Sequence, residues 1–316
     1  MHQRVKELVD RGQRFLVATH IDPDGDALGS AFSLCFALNE LHKEAWVYLR
    51  DSVPYQYEFL PKPRTVLGPT DLTRNGFDAF FILDCGDLRR IGDELQRFRG
   101  NSFTVNIDHH DTNDAFGQLN ILDDHASSTA EILYGILKAL DVPFTKEMAI
   151  NIYTAVFTDT GSLRYPNTNA LAFSICQEMV QHGVIPSEVA SGIYENHPKA
   201  RFDLLCLALA TLRTHKDGRL ATMYVTKEMF DKTRTSKEHT EGFVEDLKEM
   251  RGVEVALFVR QMGPTRFKAS MRGKGSVDLA AVARSFGGGG HKNAAGCTIE
   301  GPLKQSLRTL IEAIPL

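Results

Sequence analysis

Three short apolar runs in the first half of the sequence each end in a histidine or an aspartate. The runs and the polar residues that follow them are 15–19 with His20, 80–83 with Asp84, and 103–107 with Asp108. A fourth strand is expected at 45–49, and apolar residues recur with helical spacing at 27–41, 128–140, 146–157 and 169–182. This alternation predicts a parallel sheet flanked by helices. Because ligands bind beyond the carboxyl ends of parallel strands, we expect the three polar residues to converge.

The length of 316 residues exceeds what one hydrophobic core usually serves, which predicts two α/β domains. We expect a parallel-sheet domain at 1–185, a helical linker at 186–213 that breaks near His197-Pro198, and a smaller α/β domain at 214–316, with a cleft between the domains. The second domain is expected to have strands at 220–225, 253–260, 266–271 and near 297–299. Helices are expected at 242–250, 278–285 and the C-terminus, with a glycine loop at 287–290.

Composition excludes several classes of protein. No apolar run approaches the roughly 20 residues that span a bilayer, and the polar N-terminus lacks the core of a signal peptide. Five scattered cysteines argue against a disulfide framework and a zinc knuckle, so a cytoplasmic location is expected. The first strand is followed by an acidic loop rather than G-x-G-x-x-G, which argues against nicotinamide binding, and no G-x-S-x-G elbow indicates a serine nucleophile.

The loop after the first strand has an unusual density of charge. Residues 20–26 read His-Ile-Asp-Pro-Asp-Gly-Asp, which places one imidazole and three carboxylates in seven positions. Such groups repel one another unless cations neutralise them, and oxygen ligands with some histidine suit Mn²⁺ or Mg²⁺. The alternative is that Asp26 caps the following helix and the remaining residues form a solvated turn.

Further candidates for ligands follow the other strands. Asp84 carries two oxygens that could bridge two ions, although a turn residue is an alternative. His109 and His110 diverge at a strand end, so one can ligate a metal while the other faces a substrate. Asp159 ends a helical stretch, where the helix dipole disfavours negative charge. The alternative for Asp159 is a plain helix C-terminal turn, with Gly161 in the left-handed conformation.

These segments resemble the successive motifs of the DHH phosphoesterase superfamily, named for the triplet found here as Asp108-His109-His110. The resemblance implies two divalent cations, most readily Mn²⁺, with Mg²⁺ or Co²⁺ as alternatives. The implied ligands are His20, Asp24 and Asp84 for one metal, and Asp26, Asp84, His109 and Asp159 for the second, with Asp84 bridging. The resemblance also implies that His110 faces the scissile phosphate and that Asp108 orients the histidines.

The basic C-terminal part contains the second candidate site. From Val253 to the end, basic residues outnumber acidic residues nine to four, although the whole chain has a net charge of −4. Glycine N–H groups at 287–290 could cradle a phosphate, although a flexible connector and a solvated basic face are alternatives. The region resembles the substrate-binding domain that accompanies many DHH proteins. The expected substrate-binding residues are Arg272, Gly288, Gly289, Gly290 and His291, with Arg164 as a weaker candidate for which surface pairing is equally expected.

Within the superfamily, the chain is most similar to the compact oligoribonuclease (nano-RNase) branch, whose members also dephosphorylate 3′-phosphoadenosine 5′-phosphate. The resemblance implies water attack assisted by two metals on short oligonucleotides, releasing mononucleotides, with a homodimer possible. One alternative is a phosphodiesterase for cyclic or linear dinucleotide messengers. Another is a non-catalytic nucleotide sensor, against which the complete set of metal-ligand positions argues.

Overall fold

A computed structural model describes residues 2–72, 76–100 and 102–316 of the chain. The chain consists of two compact units, Met1–Asn196 and His197–Leu316. Their boundary falls inside the segment 186–213, which contains two helices separated near His197-Pro198, as the sequence predicts. The boundaries that the sequence suggests at 185 and 213 stay a prediction.

The first unit is a sheet packed against helices. Its strands are β1 (Arg14–Ala18), β2 (Glu44–Tyr48), β3 (Val66–Leu67), β4 (Ala79–Leu83), β5 (Thr104–Asp108) and β6 (Leu119–Leu122). Its helices are α1 (His2–Arg11), α2 (Gly25–Glu40), α3 (Asp93–Arg99), α4 (Thr129–Ala139), α5 (Lys146–Asp159), α6 (Ala170–Gln181) and α7 (Pro186–Tyr194), with 3₁₀ turns at Tyr55–Tyr57, Pro69–Asp71 and Leu88–Ile91.

All six strands of this sheet run parallel, in the order β3-β2-β1-β4-β5-β6. The predicted parallel sheet is therefore confirmed. The strands β1, β4 and β5 are neighbours, so the polar residues that follow them meet at one edge. Glycines bring a second element to this edge, because a Cβ at Gly25 or Gly29 would lie 2.4 Å from an atom of α5. This close packing of α2 on α5 places Asp26 beside Asp159.

The second unit is a mixed sheet with helices on both faces. Its strands are β7 (Arg213–His215), β8 (Leu220–Val225), β9 (Val255–Gln261), β10 (Arg266–Gly273), β11 (Gly289–His291) and β12 (Ala294–Glu300). Its helices are α8 (Lys199–Leu209), α9 (Lys227–Thr233), α10 (Phe243–Lys248), α11 (Leu279–Arg284) and α12 (Leu303–Ala313), with a 3₁₀ turn at Lys237–Thr240. The strand order is β11-β12-β10-β9-β8-β7, antiparallel except between β8 and β9.

The glycine run differs from its predicted loop. Gly289 and Gly290 belong to β11, which pairs with β12, so half of the run forms an edge strand. The pairing requires very close backbone approach, since a Cβ at Gly288 would lie 2.2 Å from the carbonyl oxygen of Gly296. The glycines thus serve the sheet directly, a role that the flexible-loop interpretation did not include.

Several short elements escaped prediction. These are α1, α3, α9, β3, β6 and β7. Helix α1 illustrates the reason, because only Val5 and Val9 of its ten residues are buried and, apart from Leu8, the remainder is polar. None of the helices in the described part of the chain combines the length and the apolar composition of a membrane span.

Candidate active site

The first cluster of candidate ligands lies at the carboxyl ends of β1 and β4. The Nε2 atom of His20 lies 3.4 Å from Oδ2 of Asp84 and 4.0 Å from Oδ2 of Asp24. His20 donates its Nδ1–H to the carbonyl oxygen of Ile21 at 2.8 Å, so Nε2 is left to face the carboxylates. A backbone bond of this kind fixes the tautomer of a metal-binding histidine. The three side chains therefore form one potential cation site.

The second cluster surrounds His109. Its Nε2 atom lies 3.6 Å from Oδ2 of Asp159, 3.7 Å from Oδ1 of Asp84 and 3.9 Å from Oδ2 of Asp26. The opposite ring nitrogen, Nδ1, lies 3.4 Å from the carbonyl oxygen of Ala126, which orients the ring as in His20. Asp26, His109 and Asp159 form a second potential cation site.

Asp84 lies between the two clusters. One of its oxygens faces His20 and the other faces His109, which is the geometry that a bridging carboxylate needs. Its backbone is left-handed, with φ of 53°. This conformation is uncommon for residues with a side chain, and aspartate and asparagine tolerate it better than most. The structure thus brings together the sequence-predicted ligands of both metals.

The charges at this site oppose one another strongly. Burial first, and then the charges of Asp84 and Asp159, raise the pKa of Asp26 well above its ordinary value. Burial and the charge of Asp84, opposed by His109, raise the pKa of Asp159 to about 6. Burial acts against charge on His109, but the surrounding carboxylates outweigh it and raise the pKa of His109 to about 10. Without cations, Asp26, Asp159 and His109 therefore favour their protonated forms. Divalent ions that bind at the cluster would displace these protons.

The donor set fits divalent cations. The ligand atoms of each cluster lie within 4.8 Å of one another, and donors that each bind an ion at about 2.1 Å lie roughly 3–4 Å apart. Carboxylate oxygens with one imidazole nitrogen per cluster suit Mn²⁺ and Mg²⁺ more than metals that prefer thiolates. The geometry can hold two cations that share Asp84.

A hydrogen-bonded chain fixes His110. Its Nδ1 lies 2.7 Å from Oδ1 of Asp108, whose other oxygen accepts from Nδ2 of Asn113 at 2.5 Å. Asp108 is fully buried, whereas the His110 side chain is 20% exposed. Burial acts against charge on His110, but the bond to Asp108 outweighs it and raises the His110 pKa. Asp108 thus orients His110, while His109 is oriented by a backbone carbonyl.

The N-terminus of α4 contributes contacts that sequence reasoning missed. The backbone N–H groups of Thr129 and Ala130 donate to the carboxylate of Asp26 at 2.7 and 3.0 Å. The Thr129 hydroxyl donates to Oδ1 of Asp84 at 3.1 Å. The preceding Ser128 caps α4 and accepts from the Glu131 N–H. Because a serine or threonine at a helix start usually serves as such a cap, the sequence alone does not single out Thr129. Asp24, rather than Asp26, caps α2.

Thr129→Val is expected to weaken divalent-cation binding about 10–100-fold, as is typical when a contact to a metal ligand is lost. Valine keeps the shape and the backbone N–H but leaves Oδ1 of Asp84 without its hydroxyl donor. The change is measured by calorimetric titration with Mn²⁺ of protein from which metal has been removed with a chelator (the chelated protein). Thr129→Ser keeps the hydroxyl and should bind like the wild type, so equal weakening in both variants would contradict this role.

Asn167 supports Asp159 in a similar way. Its Nδ2 donates to the backbone oxygen of Asp159 at 3.1 Å, to Oδ2 of Asp159 at 3.3 Å and to the carbonyl oxygen of Ser127 at 2.8 Å.

The weaker candidate Arg164 donates its Nε–H to the carbonyl oxygen of Gly161 at 2.8 Å. Gly161 has φ of 57°, so the left-handed turn expected after Asp159 is present.

The candidate substrate residues of the second unit lie on neighbouring strands. Arg272 is on β10 and pairs with Ala294 of β12, which also pairs with His291 of β11. The Arg272 Nε–H donates to Oε1 of Glu245 at 2.7 Å. The sequence did not single out Glu245, which lies on α10 and holds the guanidinium in place.

Both parts of the chain match described families. Residues 14–156 match the DHH family, N-terminal domain, and residues 217–315 match the DHHA1 domain. The chain is 32% identical over 299 residues to the bifunctional oligoribonuclease and PAP phosphatase NrnA of Thermus thermophilus, covering 94% of this chain and 88% of that protein. Identity to the protein of the same name from Bacillus subtilis is 26% over 283 residues, covering 89% and 87%.

A solved structure shares the fold across the whole chain. The exopolyphosphatase-related protein from Bacteroides fragilis superposes with a TM-score of 0.88 at 26% identity. The superposition covers 99% of this chain and 94% of that one. The two-domain α/β fold expected from the sequence is therefore confirmed.

Proposed function

The chain belongs to the DHH family of phosphoesterases, and from this premise we propose that it hydrolyses short oligonucleotides to mononucleotides. We propose that the same site removes the 3′-phosphate of 3′-phosphoadenosine 5′-phosphate. The observation that carries the proposal is the position of Asp84, whose two oxygens face two separate ligand clusters. Similarity to two proteins named as bifunctional oligoribonuclease and PAP phosphatase supports this choice of substrates.

We assign cation binding and proton transfer to different residues of the chain. Asp84, with the two clusters on either side, would hold two divalent cations, for which we propose Mn²⁺. When bound, two such cations lower the pKa of water and neutralise charge that develops on the phosphoryl oxygens. His110, fixed through Nδ1 by Asp108, would present Nε2–H to a phosphoryl oxygen or give that proton to the leaving oxygen.

The second unit has candidate substrate-binding residues of its own. Arg272, oriented by Glu245, would bind a phosphate or a base together with His291 and the glycines Gly288, Gly289 and Gly290. Arg164 remains a weaker candidate for a phosphate contact. A dinucleotide messenger would satisfy the same groups, so its hydrolysis is the second candidate function. A homodimer stays a prediction.

Product analysis tests this function. The protein, first stripped with a chelator, is incubated with Mn²⁺ and a panel of a linear dinucleotide, a longer oligonucleotide, a cyclic dinucleotide and 3′-phosphoadenosine 5′-phosphate. We expect mononucleotides from the linear dinucleotide and AMP from the last compound, with no product when the chelator is present. Faster cleavage of the cyclic compound than of the others would favour the messenger function. Binding without cleavage of any compound would make the protein a sensor and reject the proposal.

A further inference from the structure

Glu131, in the first turn of α4, is a buried carboxylate that joins two segments of the first unit. Its Oε2 accepts from the backbone N–H of Ser127 at 3.0 Å and from the Ser127 hydroxyl at 2.5 Å. The Nδ2 of Asn169 lies 3.1 Å from Oε1 and 3.0 Å from Oε2. Because Asn169 is also the N-cap of α6, Glu131 ties the segment before α4 to the beginning of α6.

The segment that Glu131 holds, residues 126–130, contacts every predicted ligand of the second cluster. The contacts are Ala126 to His109, Ser127 through Asn167 to Asp159, Thr129 and Ala130 to Asp26, and Thr129 to the shared Asp84. The two ligands that belong only to the first cluster are held elsewhere, because His20 bonds to Ile21 and Asp24 to Ala27. A displacement of this segment would therefore disturb the second cluster more than the first.

The donors around Glu131 require a carboxylate at this position. An ionised carboxylate offers two acceptor oxygens and no donor, whereas the amide of glutamine offers one oxygen and one NH₂ group. In Glu131→Gln, this NH₂ group would face a donor of Ser127 or Asn169, and a buried donor would lose its partner. The Asn169 amide cannot reverse without cost, because its Oδ1 accepts from the N–H of Ala172.

We propose that Glu131 is a positioning residue for the second cluster. It holds residues 126–130 where they orient His109, Asp26 and Asp159, and it thereby raises the affinity of this cluster for a divalent cation without itself contacting the cation or the substrate. The inference rests on the proposed function, since it concerns one of the two cations that this function requires. It assigns to Glu131 an effect on one cation site and not on the other.

The test is calorimetric titration of the chelated full-length protein with Mn²⁺ in two backgrounds. Asp24→Asn keeps every ligand of the second cluster, whereas Asp159→Asn keeps every ligand of the first. We expect Glu131→Gln to weaken Mn²⁺ binding about tenfold in the Asp24→Asn background, as when a contact to a metal ligand is lost. In the Asp159→Asn background, Glu131→Gln should leave the affinity unchanged. A residue that only stabilises the fold would lower both affinities alike.

Glu188→Gln is the matched control, because Glu188 is the third residue of α7, as Glu131 is of α4, but is exposed. This variant should leave the affinity unchanged in both backgrounds. If Glu131→Gln does not fold, Ser127→Ala decides by the same comparison, since it removes only the hydroxyl donor to Glu131 and keeps the backbone N–H. We expect its loss of affinity to be smaller and to occur only in the Asp24→Asn background.

Equal losses of affinity in the two backgrounds, or no loss in the Asp24→Asn background, would overturn the proposal. The titration contains no substrate, so its result is independent of the product analysis. Cleavage of dinucleotides by the wild type together with equal losses would reject this role of Glu131 alone. A loss confined to the Asp24→Asn background, in a protein that cleaves none of the compounds, would reject the proposed function and leave the role of Glu131 standing.

Discussion

Asp84→Asn is expected to lower turnover on a dinucleotide on the order of a thousandfold, because several kcal/mol of charge stabilisation depend on the shared cations. Both clusters lose an anionic oxygen in this variant, since one oxygen of Asp84 faces His20 and the other faces His109. Asparagine has nearly the same shape and tolerates the left-handed backbone at this position. Initial rates at saturating Mn²⁺, with calorimetric titration of the metal, measure the effect.

Asp22→Asn is the control for this variant. Asp22 lies in the same acidic loop as the predicted ligand Asp24, also has a left-handed backbone, and belongs to neither cluster. The same change of aspartate to asparagine should leave its activity within about threefold of the wild type, as is usual for substitutions at exposed positions. Activity of Asp84→Asn within tenfold of the wild type would contradict the shared-ligand arrangement.

The part of the site that could be predicted from the sequence consists of residues located at the ends of strands. His20, Asp84 and Asp108 each come directly after or at the end of a strong apolar run, and β1, β4 and β5 are neighbours in one parallel sheet. Parallel strands bring such residues to one edge whatever the lengths of the intervening segments. The sheet therefore converts three sequence-local signals into one spatial cluster. The position of Asp159 beside these residues depends in addition on the close packing of α2 on α5.

The missed residues share a different property. Thr129 lies 45 positions from its partner Asp84, and Asn167 reaches Asp159 across a turn of eight positions; residues of both types are common at helix ends and in turns. Glu245 contacts Arg272 across 27 positions. No local pattern distinguishes such residues from ordinary caps, because their partners are determined only when the helices pack. The same reason explains why the glycine run was expected to form a loop although part of it pairs with β12.

Asp159→Asn is expected to raise the stability of the chelated protein while it removes function. Burial and the charges of Asp84 and Asp24 disfavour the ionised form of Asp159 more than the neighbouring His109 favours it, so the pKa of Asp159 is raised. An uncharged amide of the same shape relieves this repulsion, and it can still accept from Asn167. With chelator present, the apparent Tm should rise by about 2–4 °C for each kcal/mol of repulsion removed.

Addition of Mn²⁺ should reverse the order of the two Tm values, so that the wild type becomes more stable than Asp159→Asn. The wild type gains stability on binding, because a ligand that prefers the folded state stabilises it in proportion to the logarithm of its concentration over Kd. Asp159→Asn, with one anionic ligand fewer beside His109, should show a much smaller Mn²⁺-dependent rise in Tm and at least about a hundredfold loss of turnover. Asp124→Asn, which removes an exposed carboxylate outside the clusters, should behave like the wild type in both measurements. A chelated Asp159→Asn protein less stable than the wild type would show that the cluster is not under electrostatic strain.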